Sequence, residues 1–184
     1  SETGHVAALQ WLYDHGAKND LLKQQYDGAS PMFIACQNNN VKTLQWLFDR
    51  GADANLRTPR NDGVTPTSIA SQNNHVETLQ WLYEHGAKNN DDVRRPNNNG
   101  FTPFFFAAEN NHEEAMQWLF DHGAKQDVRQ PQNDGATPMY IACEKNNLTL
   151  MQWLYNHGGQ EDVRKARKDG VTPLFLACEH KQLN

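Results

Sequence analysis

The 184-residue chain has little cysteine, a small net charge and no long apolar run. Three cysteines do not make a disulfide framework, and they favour a reducing, cytoplasmic compartment. A net charge of −5 gives no general attraction to nucleic acid or to anionic membranes. No apolar stretch approaches the roughly 18 residues of a membrane span. The sequence also has no phosphate loop, nucleophile elbow or paired-ligand spacing, so we expect no catalytic activity, metal or cofactor.

What the chain does contain is a pair of repeated phrases. Tryptophan stands at 11, 46, 81, 118 and 153, in phrases such as LQWLYDHGA and MQWLFDHGA. Glycine stands at 28, 63, 100, 135 and 170, opening phrases such as GASPMFIAC and GATPMYIAC. The spacing is 35 residues, with one spacing of 37 where KNNDDVRRP holds two extra residues. The chain is therefore one array. Its units are unit 1 (1–27, partial), units 2 to 5 (28–62, 63–99, 100–134, 135–169) and unit 6 (170–184, partial).

The chemistry of one unit can be read from unit 2. The hydroxyl of Ser30, with threonine in the other units, can cap a helix whose first position is the following proline. Asparagine near residue 39 tolerates the left-handed conformation that ends this first helix. A second helix with helical apolar spacing follows and ends at Gly51. A polar segment, here called the finger, returns the chain to the next turn glycine. We otherwise interpret the frequent asparagines as a compositional habit without chemical meaning.

The Thr-Pro-x-x-x-Ala phrase and the Leu-x-x-x-Gly-Ala ending resemble ankyrin repeats over nearly the whole chain. The resemblance implies an all-α solenoid of stacked helix-turn-helix units with hairpin-like finger loops. It also implies a concave face, made by fingers and first helices, that binds other proteins. The period departs from the usual 33 residues, so we expect longer fingers. The histidine common after Thr-Pro-Leu is absent, and its hydrogen bonds must be missing or replaced. The residues in its place are Phe33, Ser68, Phe105, Tyr140 and Phe175.

Four of the eight phenylalanines lie in FTPFFF, residues 101–106. Phe104 and Phe106 fall in columns that are apolar in nearly every unit, which predicts core. Phe101 shares its column with Val64, and the resemblance implies that this position faces the concave side. One interpretation is that Phe101 is an exposed anchor for a partner, with Phe105 partly exposed beside it and Tyr140 extending the patch. The other is that Phe101 packs locally on its own finger.

Arginine recurs in the fingers, and Leu22 takes its place in unit 1. The column is Arg57, Arg94, Arg129 and Arg164. These side chains either tie the carbonyl groups of neighbouring fingers together or form a row that meets an acidic partner. The stretch VRKARKDG makes the last finger the most basic. Glu109 and Glu144 end first helices and face the concave side by position, where they could oppose a basic segment.

Three further columns have structural interpretations. The tryptophans sit within apolar helices and predict packing between units. The histidines before the helix-ending glycines suit a helix C-terminus, and members of one column lie too far apart for a zinc site. The cysteines occupy a small-residue column, shared with Ser71 and Ala108.

These features favour a protein-interaction module that binds a partner protein or peptide through its concave face and fingers. An alternative is the regulatory or substrate-recruiting part of a larger enzyme or channel, because the array begins and ends within a unit. The partial end units also predict end-to-end self-association. Nucleic acid is not an expected partner.

Overall fold

The computed structural model describes the backbone of residues 2–86 and 90–179 and the side chains of residues 5–86 and 92–179. The helices form two layers, and these residues contain no strand. The inner layer holds α2 (Pro31–Gln37), α4 (Pro66–Gln72), α7 (Pro103–Glu109), α9 (Pro138–Glu144) and α11 (Pro173–Glu179). The outer layer holds α1 (Glu2–Asp14), α3 (Val41–Phe48), α5 (Val76–His85), α8 (Glu113–Leu119) and α10 (Leu148–Leu154). The predicted all-α solenoid is confirmed.

The fingers contain one helical turn each. Four are 3-10 turns, Ala17–Asp20, Asp53–Leu56, Lys125–Arg129 and Gln160–Arg164. The finger of unit 3 instead holds the short helix α6 (Asn90–Arg94), next to the two extra residues, which lie partly outside the described residues. After α8 and α10 the chain makes one wide turn, Phe120–Ala124 and Tyr155–Gly159, before the finger begins.

The inner helices begin and end as their sequences predict. The Thr102 hydroxyl accepts the backbone N–H of Phe105 at 3.1 Å, with Pro103 at the first helical position. Ser30, Thr65 and Thr137 make the same bond in their own units. Beyond α2, α4, α7 and α9 an asparagine takes a positive φ, for example 58° at Asn111. The other members are Asn39, Asn74 and Asn146. Asparagine adopts this left-handed conformation at low cost.

The tryptophan column packs between units, as predicted. The Phe48 ring meets the Trp81 indole edge-on, with ring centres 5.8 Å apart. The indole N–H of Trp81 donates to Oε1 of Gln45 in the preceding unit at 3.0 Å. The pattern recurs at Trp46 and Trp118. Trp46 and Trp81 are buried, whereas Trp11 in unit 1 is exposed. The aromatic contacts therefore fix the spacing of the outer layer.

The fingertips are joined into a continuous row. The backbone N–H of Asn98 donates to the Asp62 carbonyl at 3.0 Å, and the Asn98 side-chain amide donates to the Asn61 carbonyl at 3.0 Å. Asn61 and Asn133 make the equivalent pair of bonds to the finger before them. A Cβ on Gly63 would lie 2.7 Å from the Asn98 nitrogen, so this turn requires glycine. Our interpretation of the asparagines as a mere compositional habit is wrong at these three positions, because each bridges two fingers.

Candidate protein-interaction surface

The inner face consists of the fingertips together with the exposed side of the inner helices. Phe104 and Phe106 are buried in the core, as predicted. Phe101 is half-buried at the start of unit 4. Its ring centre lies 4.9 Å from that of Phe105 and 5.3 Å from that of Phe106. Phe101 packs against the apolar clusters on both sides of unit 4 and so links them.

Three residues expected on the binding surface are buried instead. Phe105 and Tyr140 expose 1% of their surface and Val64 exposes 4%. The expected exposure of these three side chains is therefore wrong. Phe101 packs within its own unit, but its ring contacts are Phe105 and Phe106 of α7 rather than the finger, and it stays partly exposed.

Phe105 and Tyr140 lie in the column that histidine commonly fills, and other side chains cover their rings. The Phe101 ring covers Phe105 in its own unit. The Arg167 guanidinium lies 5.2 Å from the Tyr140 ring, and Arg60 lies 5.6 Å from the Phe33 ring. Cation–π contacts and an edge-on aromatic contact thus stand in place of the missing histidine hydrogen bonds. In both cases the arginine comes from the fingertip of the same unit as the ring.

The acidic side chains predicted on this face do remain accessible. Glu144 is exposed and Glu109 is partly exposed, each as the last residue of an inner helix. The Glu109 carbonyl accepts a hydrogen bond from Nζ of Lys145, which ties the ends of α7 and α9. Neither carboxylate takes part in a described ion pair, so both are available to a partner.

The arginine column has a structural partner that the sequence analysis missed. Nε of Arg94 lies 2.7 Å from Oδ1 of Asp127 in the next finger. Nε of Arg57 lies 2.8 Å from Oδ2 of Asp92 in the same way. We call these inter-finger pairs clasps. The arginines were expected to tie carbonyl groups, and Arg57 does also donate to the Gly86 carbonyl. The main acceptors, however, are aspartate side chains.

The third clasp involves two acidic residues. Nε of Arg129 lies 3.4 Å from Oδ1 of Asp162, and its Nη2 lies 2.5 Å from Oε2 of the adjacent Glu161. Arg94 and Arg129, both predicted to contact a partner, are therefore engaged within the array. Arg164 is exposed, and no carboxylate in the described ranges lies within ion-pair distance of it.

The clasps place carboxylates in the protein interior. Asp127 and Asp162 expose 0% of their surface. Burial raises the pKa of Asp127 to about 6, although Arg94 and the Thr102 hydroxyl oppose this shift. Burial likewise raises the pKa of Asp162, against the influence of Lys165 and Arg129. Each clasp thus neutralises a carboxylate that is costly to keep charged.

The junction between neighbouring fingers is here called a seam, and the first seam, between fingers 1 and 2, lacks both members of a clasp. Leu22 replaces the arginine, and Asn55 replaces the aspartate. Asn55 is buried at the position that Asp92, Asp127 and Asp162 hold in later fingers. A neutral amide is therefore found where no cation arrives. Alignment of the fingers would have shown this column, since its members follow each tryptophan by nine residues, or by eleven in unit 3.

The part of the chain that the structure describes holds three free cysteines, two of them buried. No group of three or more histidine, cysteine or acidic residues is arranged to hold a metal ion there. Burial raises the pKa of the Cys36 and Cys143 thiols, so neither is an activated nucleophile. Within the same residues, no helix is long and apolar enough to cross a membrane.

Comparison with known proteins agrees with this architecture. The family model of ankyrin repeats, which spans three copies, matches residues 1–93, 58–130 and 125–184. No curated protein matches the chain significantly. Proteins built from ankyrin repeats are generally protein-interaction modules and typically lack catalytic activity. Since the matches span the two-layered stack described above, the chain belongs to the ankyrin-repeat family.

Proposed function

We propose that this chain is a protein-interaction module that binds its partner on the inner face. The observation that supports this most is the hydrogen-bonded row of fingertips from unit 1 to unit 5. Each fingertip from Asn61 onward donates a backbone N–H to the finger before it. A surface held in this way loses little conformational entropy when a partner binds. The cytoplasmic location expected from the unpaired cysteines belongs to the same proposal.

The residues proposed to contact the partner are Glu109, Glu144 and the outer edge of Phe101. The two carboxylates lie on neighbouring inner helices and are accessible. A partner with lysine or arginine at matching positions would gain electrostatic complementarity, which mainly sets specificity and association rate. Phe105, Tyr140 and Val64 support this surface from beneath, because their side chains are buried.

The test is site-specific photo-crosslinking in cell extract. A photoreactive residue is placed at Glu144 on the inner face or, as a control, at Glu113 on the exposed side of α8. We expect a discrete adduct from Glu144 that is lost when Glu109 is changed to alanine, and no such adduct from Glu113. Equal adducts from both positions, or adducts from Glu113 alone, would contradict docking on the inner face.

A further inference from the structure

The inner face carries a row of equivalent side chains at the ends of the inner helices. The inner helices of units 2 to 5 end in Gln37, Gln72, Glu109 and Glu144. Glu109 lies between the complete units 3 and 5 and is still partly exposed, so this position is accessible within the stack. The row is therefore neutral over units 2 and 3 and acidic over units 4 and 5.

The packing of the helices sets the spacing of this row. α7 and α9 lie side by side in the inner layer, and the axes of packed helices are about 8–10 Å apart. Glu109 and Glu144 hold the same place in the repeat, so their backbones recur at about this distance. A segment that crosses the two helices thus needs one cationic side chain every 8–10 Å or so to meet both carboxylates.

One extended conformation matches this distance. A polyproline II helix has three residues per turn and rises about 3.1 Å per residue, so residues i and i+3 lie on the same side about 9 Å apart. Side chains on one side of a β-strand are about 7 Å or about 13 Å apart, and neither distance fits. An α-helix fits through residues i and i+7, which are about 10.5 Å apart.

Free amides on the fingertips favour the extended segment over the α-helix. The side-chain amides of Asn99 and Gln132 are at least partly exposed and make no hydrogen bond with the described residues. A polyproline II segment leaves its backbone carbonyl groups free to accept from such amides, whereas an α-helix bonds most of its own. The partly exposed Phe101 ring lies on the same face. Proline-rich segments dock on aromatic surfaces of this kind.

We propose that the inner face binds a partner segment in the polyproline II conformation, with lysine or arginine at positions i and i+3 over Glu109 and Glu144. This inference rests on the proposed function and deepens it by naming the conformation and the charge spacing of the partner. The segment crosses the stack from unit to unit, and its backbone carbonyl groups accept hydrogen bonds from the finger amides. Its residues over Gln37 and Gln72 are uncharged, because these positions offer no countercharge.

The test is fluorescence anisotropy with labelled peptides at low ionic strength, where exposed charges are least screened. The matched peptide is proline-rich and contains Lys-Pro-Pro-Lys. The spacing control has the same composition but contains Lys-Pro-Lys-Pro, so that its two lysines are two residues apart. A third peptide is alanine-rich and helical, with two lysines seven residues apart.

Two double variants of the protein separate the site from net charge. Glu109→Gln, Glu144→Gln removes the acidic part of the row. Glu77→Gln, Glu113→Gln is the control, because both of these side chains are exposed on outer helices. Each double variant changes the net charge from −5 to −3.

We expect the inner-face double variant to weaken binding of the matched peptide by about fivefold, because two exposed ion pairs are lost. The control should change binding by less than about twofold. The spacing control peptide should bind the wild type more weakly than the matched peptide does. Gln72→Glu extends the acidic row by one unit, and it should strengthen binding of a peptide with three lysines at this spacing about twofold. An unchanged melting temperature in all variants confirms that the fold is intact.

Four results would overturn the proposal. They are equal losses in the two double variants, equal binding of the two proline-rich peptides, tighter binding of the helical peptide, and no measurable binding of the matched peptide to the wild type. The crosslink at Glu144 reports a partner of any conformation on the inner face. An adduct there without a preference for the matched peptide contradicts this inference alone, whereas the absence of that adduct contradicts the proposed function.

Discussion

Two seams of the same array join neighbouring fingers by different chemistry. Between fingers 3 and 4, Arg94 meets a buried carboxylate of Asp127 at 2.7 Å. Between fingers 1 and 2, Leu22 and the buried amide of Asn55 occupy the same two positions. Both seams keep the helices in one stack, so the clasp is not required for the fold. The two positions therefore vary together: a buried charge appears only where a cation can reach it.

The largest expected effect comes from breaking the clasp on its cationic side. Arg94→Met leaves the Asp127 carboxylate buried without its partner, and we expect a loss of about 3 kcal/mol in the free energy of unfolding at neutral pH. Urea denaturation measures this loss. Arg95→Met is the control, since the Arg95 side chain is exposed and, among the described residues, donates a hydrogen bond to the Arg57 carbonyl at 3.4 Å. Equal losses in the two variants would show that the ion pair is not responsible.

A smaller effect is expected when the neutral seam is converted into a charged one. Asn55→Asp buries a carboxylate without a cation, at a cost of about 2 kcal/mol. Adding Leu22→Arg should restore part of that stability, giving a coupling energy of about 1–3 kcal/mol in a double-mutant cycle. Leu22→Arg alone should have little effect, because Leu22 is exposed. Strict additivity of the two changes would mean that the paired variation of these positions has no energetic basis.

The fold could be predicted because the same signals recur in every unit. Hydroxyl caps, the proline after them and the asparagines with positive φ act within a few residues, so the sequence alone defines the inner helices. Phe104 and Phe106 belong to columns that are apolar in nearly every unit, and this pattern predicted their burial.

The exposure of site residues could not be predicted in this way. Whether the Tyr140 ring is exposed depends on Arg167, in the fingertip of the same unit, lying over it. The Phe105 ring is covered by the Phe101 ring rather than by an arginine. These contacts differ from unit to unit, and no local pattern encodes them. The clasps could have been predicted from the sequence, because an aspartate column with regular spacing matches the arginine column.

The smallest expected effect is the pH dependence of the charged seam. The pKa of Asp127 is raised to about 6 from an ordinary value of 3.8, so the folded chain binds this proton more tightly than the unfolded chain does. The resulting stability is fully present below pH 3.8 and is lost as the pH rises through about 6. Lowering the pH from 7 to 5 should therefore raise the free energy of unfolding by about 1 kcal/mol through this group.

Asp127→Asn isolates that contribution, since Asn55 shows that the same position accepts a buried amide. The quantity to measure is the difference between wild type and variant in urea denaturation at pH 7, 6 and 5. Other titrating groups are common to both chains and cancel in this difference. We expect the wild type to gain stability relative to Asp127→Asn as the pH falls. A constant difference would mean that Asp127 is ionised throughout this range and that Arg94 outweighs the effect of burial.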